Sequence, residues 1–100
     1  MTTKTSKSRD FIINALESKY DRMKCRTSED FCGAEGGIWI AADDGIKDRK
    51  GMPLFDYYDG VSYTSGKYEF GVIYHLHRWA ERNGWFFEWY DCATMMMWKA

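Results

Sequence analysis

His75 and His77 form an HxH pair, a spacing that suits metal binding on a strand, where alternate side chains share a face. On a helix the same two imidazoles point about 200° apart, and helical metal pairs use i and i+4 instead. Their own segment, KYEFGVIYHLHRWAERNG, repeats Val72, Ile73, Leu76, Trp79 and Ala80 at helical spacing. The histidines therefore read as polar rims of a helix, and no metal site is expected of them.

Asp43, Asp44, Asp48 and Lys50 resemble in outline a nuclease set, in which carboxylates hold magnesium and a D-x-K lysine steadies the attacked phosphate. That chemistry needs acids preorganised on strands, whereas these crowd into one turn after IWIAA, where Asp and Gly serve turn geometry. Asp56, Asp59, Glu88 and Asp91 form a second carboxylate group if two hairpins lie side by side. The enzyme reading is then a small-molecule or metal-assisted catalyst using the acids near Asp56 and Asp91, assisted by His75 or His77. No G-x-S-x-G, H-E-x-x-H or paired Cys and His signature supports it, so no catalytic residue and no cofactor is assigned. Cys25, Cys32 and Cys92 are odd in number and lack a C-x-x-C pair, which fits free thiols of a reducing compartment. Gly33, Gly36 and Gly37 lead into a strand pattern rather than a helix, the wrong order for a phosphate loop.

The chain's most distinctive stretch is GWFFEWYDCATMMMW, from Gly84 to Trp98. On a strand, Trp85, Phe87 and Trp89 share one face and Phe86, Glu88 and Tyr90 the other. The first set is the expected core. The second, with Trp39, Tyr57 and Met96, is the expected binding surface: an aromatic sheet face left open because too little chain remains to build a third layer. The acids beside it favour a protein ligand, or a second copy of the chain, over a nucleic acid.

The elements that must carry these residues follow from periodicity and punctuation. Residues 1–7 read as a flexible leader and 8–100 as a single α+β domain, the number of cores that one hundred residues support. Ser8 caps a helix predicted from about Arg9 to Lys24, along which the apolar residues Phe11, Ile12, Ala15, Leu16, Tyr20 and Met23 recur at helical spacing. Thr27 to Phe31 reads as a short helical turn carrying Phe31 inward, Ile38 to Ala42 as a strand and MPLFDYY as its hairpin partner. The second helix and the hairpin WFFEWY–TMMMW complete the order αββαββ. The predicted architecture is a four-stranded, mainly antiparallel sheet with two helices packed on one face.

Net charge is −1, yet residues 1–26 hold seven cations against three acids and the rest seven against twelve. The acidic body argues against nucleic acid, leaving only a weak contact through Lys19, Arg22, Lys24 and Arg26. No apolar run approaches the ~20 residues of a membrane span, and no secretory pattern opens the chain, so a cytoplasmic location is expected.

In the stretches GGIWIAADDG, MPLFDYY and NGWFFEWYD the chain resembles the small orphan proteins carried by phages, prophages and integron cassettes. The resemblance covers residues 36–98 and transfers no functional residue. It implies a cytoplasmic accessory protein that binds host complexes, blocking or adapting them.

Overall fold

The computed structural model describes residues 6–42, 45–57 and 67–100. Helix α1 (Arg9–Lys19) starts where the Ser8 side chain accepts a hydrogen bond from the Phe11 N–H and buries Ile12 and Leu16. It ends five residues short of the predicted Lys24. Tyr20 turns extended, and Arg22 takes a left-handed backbone (φ 65°), which folds the chain back so that Tyr20 and Met23 are both buried. Strand β1 (Cys25–Thr27) follows, and the Thr27 hydroxyl caps the short helix α2 (Ser28–Cys32). Strand β2 (Ile38–Ala41) then enters the sheet.

Residues 45–57 do not supply the predicted fourth strand. Lys47 bridges Pro53 and Phe55 bridges Val72, each as an isolated pair, while Leu54 and Phe55 are buried consecutively. Two adjacent inward residues break the alternation that a half-buried strand needs. The last of this segment, Tyr58, lies outside the described residues, as do Asp43, Asp44 and Asp59. Next come β3 (Tyr68–Glu69) and β4 (Val72–Ile73), a small hairpin where the predicted helix was to begin. Phe70 and Gly71, both at positive φ, form its two-residue turn. Helix α3 (Tyr74–Arg82) then buries Leu76 and Ala80, and β5 (Trp85–Asp91) and β6 (Thr94–Lys99) close the chain as a hairpin.

The result is an α+β fold whose main sheet has the order β1-β2-β6-β5, antiparallel at every pairing. Four strands were predicted and four occur, but the short Cys25–Thr27 segment takes the place assigned to MPLFDYY. One face of the sheet is covered. Ile38, Ile40, Met95, Met97 and Trp85 meet Ile12 and Leu16 of α1 and Leu76 and Ala80 of α3 in one apolar cluster, against which Phe87 and Trp89 pack. Removing a residue such as Leu16 from this cluster would cost about 2–5 kcal/mol.

Two ties fix the ends of the layers. Ser6 and Lys7, within the expected leader, are held: the Lys7 N–H reaches the Asn83 carbonyl, and the Trp85 indole N–H donates to the Lys7 carbonyl. Arg9 donates to Glu29 at 2.6 Å and to the Gly37 carbonyl, locking α1 to the α2–β2 turn. Among the described residues no helix is long and apolar enough to cross a membrane.

Candidate functional site

The pairing register fixes what stands on the uncovered face of the sheet. Arg26, Trp39, Met96 and Glu88 lie directly opposite one another on successive strands, so one row crosses the whole sheet. Trp98 and Phe86 form the neighbouring row across β6 and β5. Side chains two residues apart along each strand share this face, which adds Tyr90 at the irregularity between Trp89 and Asp91.

Helix α2 contributes a residue that the sequence reading left inside. Phe31 was expected to point inward, yet its ring lies 5.8 Å from Trp39 and 4.9 Å, edge-on, from Tyr90. Because those partners stand on strands flanking β6, Phe31 sits above β6 and roofs Met96, which is only 2% exposed. Phe31, Phe86 and Tyr90 remain open at 38%, 41% and 58%. An edge-on ring pair such as Phe31–Tyr90 adds about 0.5–1.5 kcal/mol and stiffens the surface.

The polar atoms of the face are largely occupied. The Trp98 indole N–H donates to Glu88 Oε1 at 3.2 Å, so the carboxylate is held against the sheet. Trp39 Nε1 is buried and, among the described residues, has no hydrogen-bond partner. The position of α2 rests on a compact polar network. Ser28 Oγ accepts from the Gly37 N–H and donates to the Ala34 carbonyl, while Glu29 Oε2 accepts from the Gly36 N–H. The Gly36 N–H and then Glu29's own N–H, with Arg9 added, hold the Glu29 carboxyl down at about 2.

Of the residues expected on the binding surface, Trp39, Phe86, Glu88, Tyr90 and Met96 come together on this face, Met96 as a buried base rather than a contact. Tyr57 does not join them. It stands edge-on to Trp89, 5.1 Å away, and Trp89 packs on the covered side. Its expected place depended on MPLFDYY entering the sheet, which it does not do. Phe31 was missed because a five-residue helix shows too little periodicity to reveal which way one ring points.

The other candidates separate. His75 lies on α3 and donates through Nε2 to Asp48, whereas His77 Nε2 donates to the Glu69 carbonyl. The imidazole expected to assist Asp56 and Asp91 thus meets Asp48 instead, and Asp91 accepts from the Ala93 N–H in the β5–β6 turn. Among the described residues no group of three or more His, Cys, Asp or Glu is placed to hold a metal ion. Cys25, Cys32 and Cys92 are free thiols, and burial, reinforced by Glu17, pushes Cys25 up to about 12. Of the four cations considered for nucleic acid, Lys19 lines a cleft beside residues 47–52, while Arg26 belongs to the sheet row.

Comparison of the chain with protein-family models, with curated proteins and with solved structures gives no match.

Proposed function

We propose that this chain is a non-catalytic binding module that docks another protein through the uncovered face of its sheet. The observation that carries the reading is a patch built from Phe31, Phe86 and Tyr90 over Trp39, Met96 and Trp98, on a side where, among the described residues, the short helix α2 covers only part of the sheet and leaves these three rings exposed. Aromatic residues and methionine at the centre of a patch, with charge at its edge, are the composition of interface centres. Arg26 and Glu88 mark the two ends of the central row, giving a partner both signs against which to orient.

The size of the patch limits what it can do alone. The exposed parts of the three open rings amount to roughly 300 Å², given 150–250 Å² for a whole aromatic side chain. At about 25 cal/mol per Å² that yields ~7 kcal/mol, comparable with the unavoidable cost of association. The rings are therefore the anchor of a larger interface, and the polar rim supplies the rest. The resemblance to phage, prophage and integron-cassette proteins supports a host protein complex as the partner and a mobile-element accessory role.

The test is capture from a host lysate by the tagged chain, beside Phe86→Ala and Tyr90→Ala. Burying Phe86 or Tyr90 is worth ~2–3 kcal/mol, so each variant should weaken retention about 30-fold or more while its melting temperature stays within a few degrees. Retention that both variants leave unchanged refutes the reading. Light scattering at two concentrations separates a foreign partner from a second copy: a dimer that both variants dissociate would make the occupant the chain itself.

A further inference from the structure

On the helical side of the molecule, sharing no residue with the aromatic face, lies a cleft of about 940 Å³. It runs between the end of α1, the loop 47–52 and the start of α3. Among the described residues, five cationic side chains line it, Lys19, Lys47, Arg49, Lys50 and Lys67, against two carboxylates, Asp21 and Asp48. In a chain whose overall charge is −1, this is a strong local concentration of positive potential, and a concave wall focuses it.

The loop that presents three of these cations is held in shape. Asp48 accepts from the Lys50 and Met52 N–H groups at 2.9 Å each and from His75 Nε2 at 3.1 Å. Burial alone would raise its carboxyl, but those three hydrogen bonds hold it below the usual range. Asp48 is thereby committed to the loop and to α3, and its side chain is only 12% exposed.

The cleft is not polar throughout. Met52 and Ile73 give it apolar wall, and the Tyr74 ring is 40% exposed beside them. Cations for a phosphate next to a flat apolar wall for a ring suit an organic phosphate, and the volume lies in the range of small-molecule sites, ~300–1,000 Å³. We propose that this cleft binds a phosphate ester carrying a planar ring, of the nucleotide kind, with Lys47 and Lys50 on the phosphates and the ring against Met52 and Tyr74. This second site is independent of the docking face.

Calorimetric titration of the whole chain at physiological salt with ADP, AMP and inorganic pyrophosphate tests it. Saturable ADP binding is expected, with Lys47→Glu and Lys50→Glu each raising Kd at least tenfold. Arg82→Glu, at the far end of α3, should change it less than twofold, and pyrophosphate should bind several-fold more weakly than ADP. Circular dichroism confirms that each variant is folded. The proposal is overturned by absence of saturable ADP binding at millimolar concentration, or by equal weakening in Arg82→Glu. Pyrophosphate as tight as ADP removes the ring from the site and also overturns it. So does binding confined to long RNA or DNA.

Discussion

Gly37→Ala tests the packing that supports the aromatic face. Gly37 is buried just before β2, and a methyl group there would sit 2.4 and 2.5 Å from two ring carbons of Trp98 and 3.0 Å from the Met97 carbonyl oxygen. Contacts that short force something to move. Trp98 is the softer neighbour, since the carbonyl belongs to the central strand of the sheet, so the indole must swing away and abandon its hydrogen bond to Glu88. Overpacking of this kind costs about 1–3 kcal/mol. For a domain of this size the melting temperature should fall by roughly 5–15 °C. The informative measurement is a double-mutant cycle with Trp98→Ala, read by urea denaturation. Without the indole the methyl group has room, so Gly37→Ala should cost under about 0.5 kcal/mol there, a coupling of ~1–2 kcal/mol. If Gly37→Ala costs the same whether or not Trp98 is present, the clash lies elsewhere and the stacking of this ring on the Gly37 backbone is wrong.

Phe70 occupies a left-handed backbone (φ 50°) followed by Gly71 (φ 75°), a turn in which Asn-Gly is the favoured pair, yet the ring is 84% exposed. Phe70→Asn relieves ~1 kcal/mol of strain and loses little burial, so it should raise stability by about 0.5 kcal/mol in chemical denaturation; a loss of that size would show that the ring packs. Among the thiols, Cys32 and Cys92 should react quickly with a disulfide reagent at pH 8 and Cys25 only on unfolding, because its thiol is pushed up to about 12; three equal rates would contradict the burial. Glu29 is held down at about 2, against 4.5 ordinarily, so its contribution is complete above about pH 5 and disappears as pH falls through 4.5 toward 2. Glu29→Gln should flatten that acid limb of the stability curve, and an unchanged limb would mean that other carboxylates govern it.

What could be foreseen from the residues depended on the length of each pattern. The β5–β6 hairpin was readable because two apolar runs, WFFEWY and TMMMW, flank one short turn, and Ser8 with Ile12 and Leu16 announced α1. Three residues, Cys25 to Thr27, carry no measurable period, so β1 was invisible and its place went to the louder MPLFDYY. Tyr20 and Met23 extended the apparent helix because a turn can bury residues three apart as well as a helix can. Val72 and Ile73 looked like the first turn of α3, but the Phe70–Gly71 turn at positive φ folds them back onto Glu69 and Tyr68 as β4, a pairing that helical spacing does not reveal. The aromatic face was legible as far as strand alternation reached. Phe31, which reaches it from α2, and Tyr57, which leaves it, both depended on tertiary placement.

The same misplacement explains why the Asp48 cleft could not be seen. As long as residues 52–58 belong to the sheet, Asp48 and Lys50 sit in an exposed hairpin tip, far from any helix. Once β1 fills the edge beside β2, the segment from Gly45 to Tyr57 is released to the helical side, where the Leu54 N–H bonds the Ile46 carbonyl and the Ile73 N–H bonds the Leu54 carbonyl. Those bonds bring Asp48 to His75, 27 residues away, and set the lysines facing Tyr20 and Tyr74. A three-residue edge strand thus leaves one side of the sheet aromatic and uncovered and frees the chain that builds a basic hollow on the other. Two surfaces of opposite chemistry, separated by one core, are suited to two different ligands. Charge reversal at Lys47 should therefore leave protein capture intact, just as loss of the Phe86 ring should leave ADP affinity within twofold of the unaltered chain.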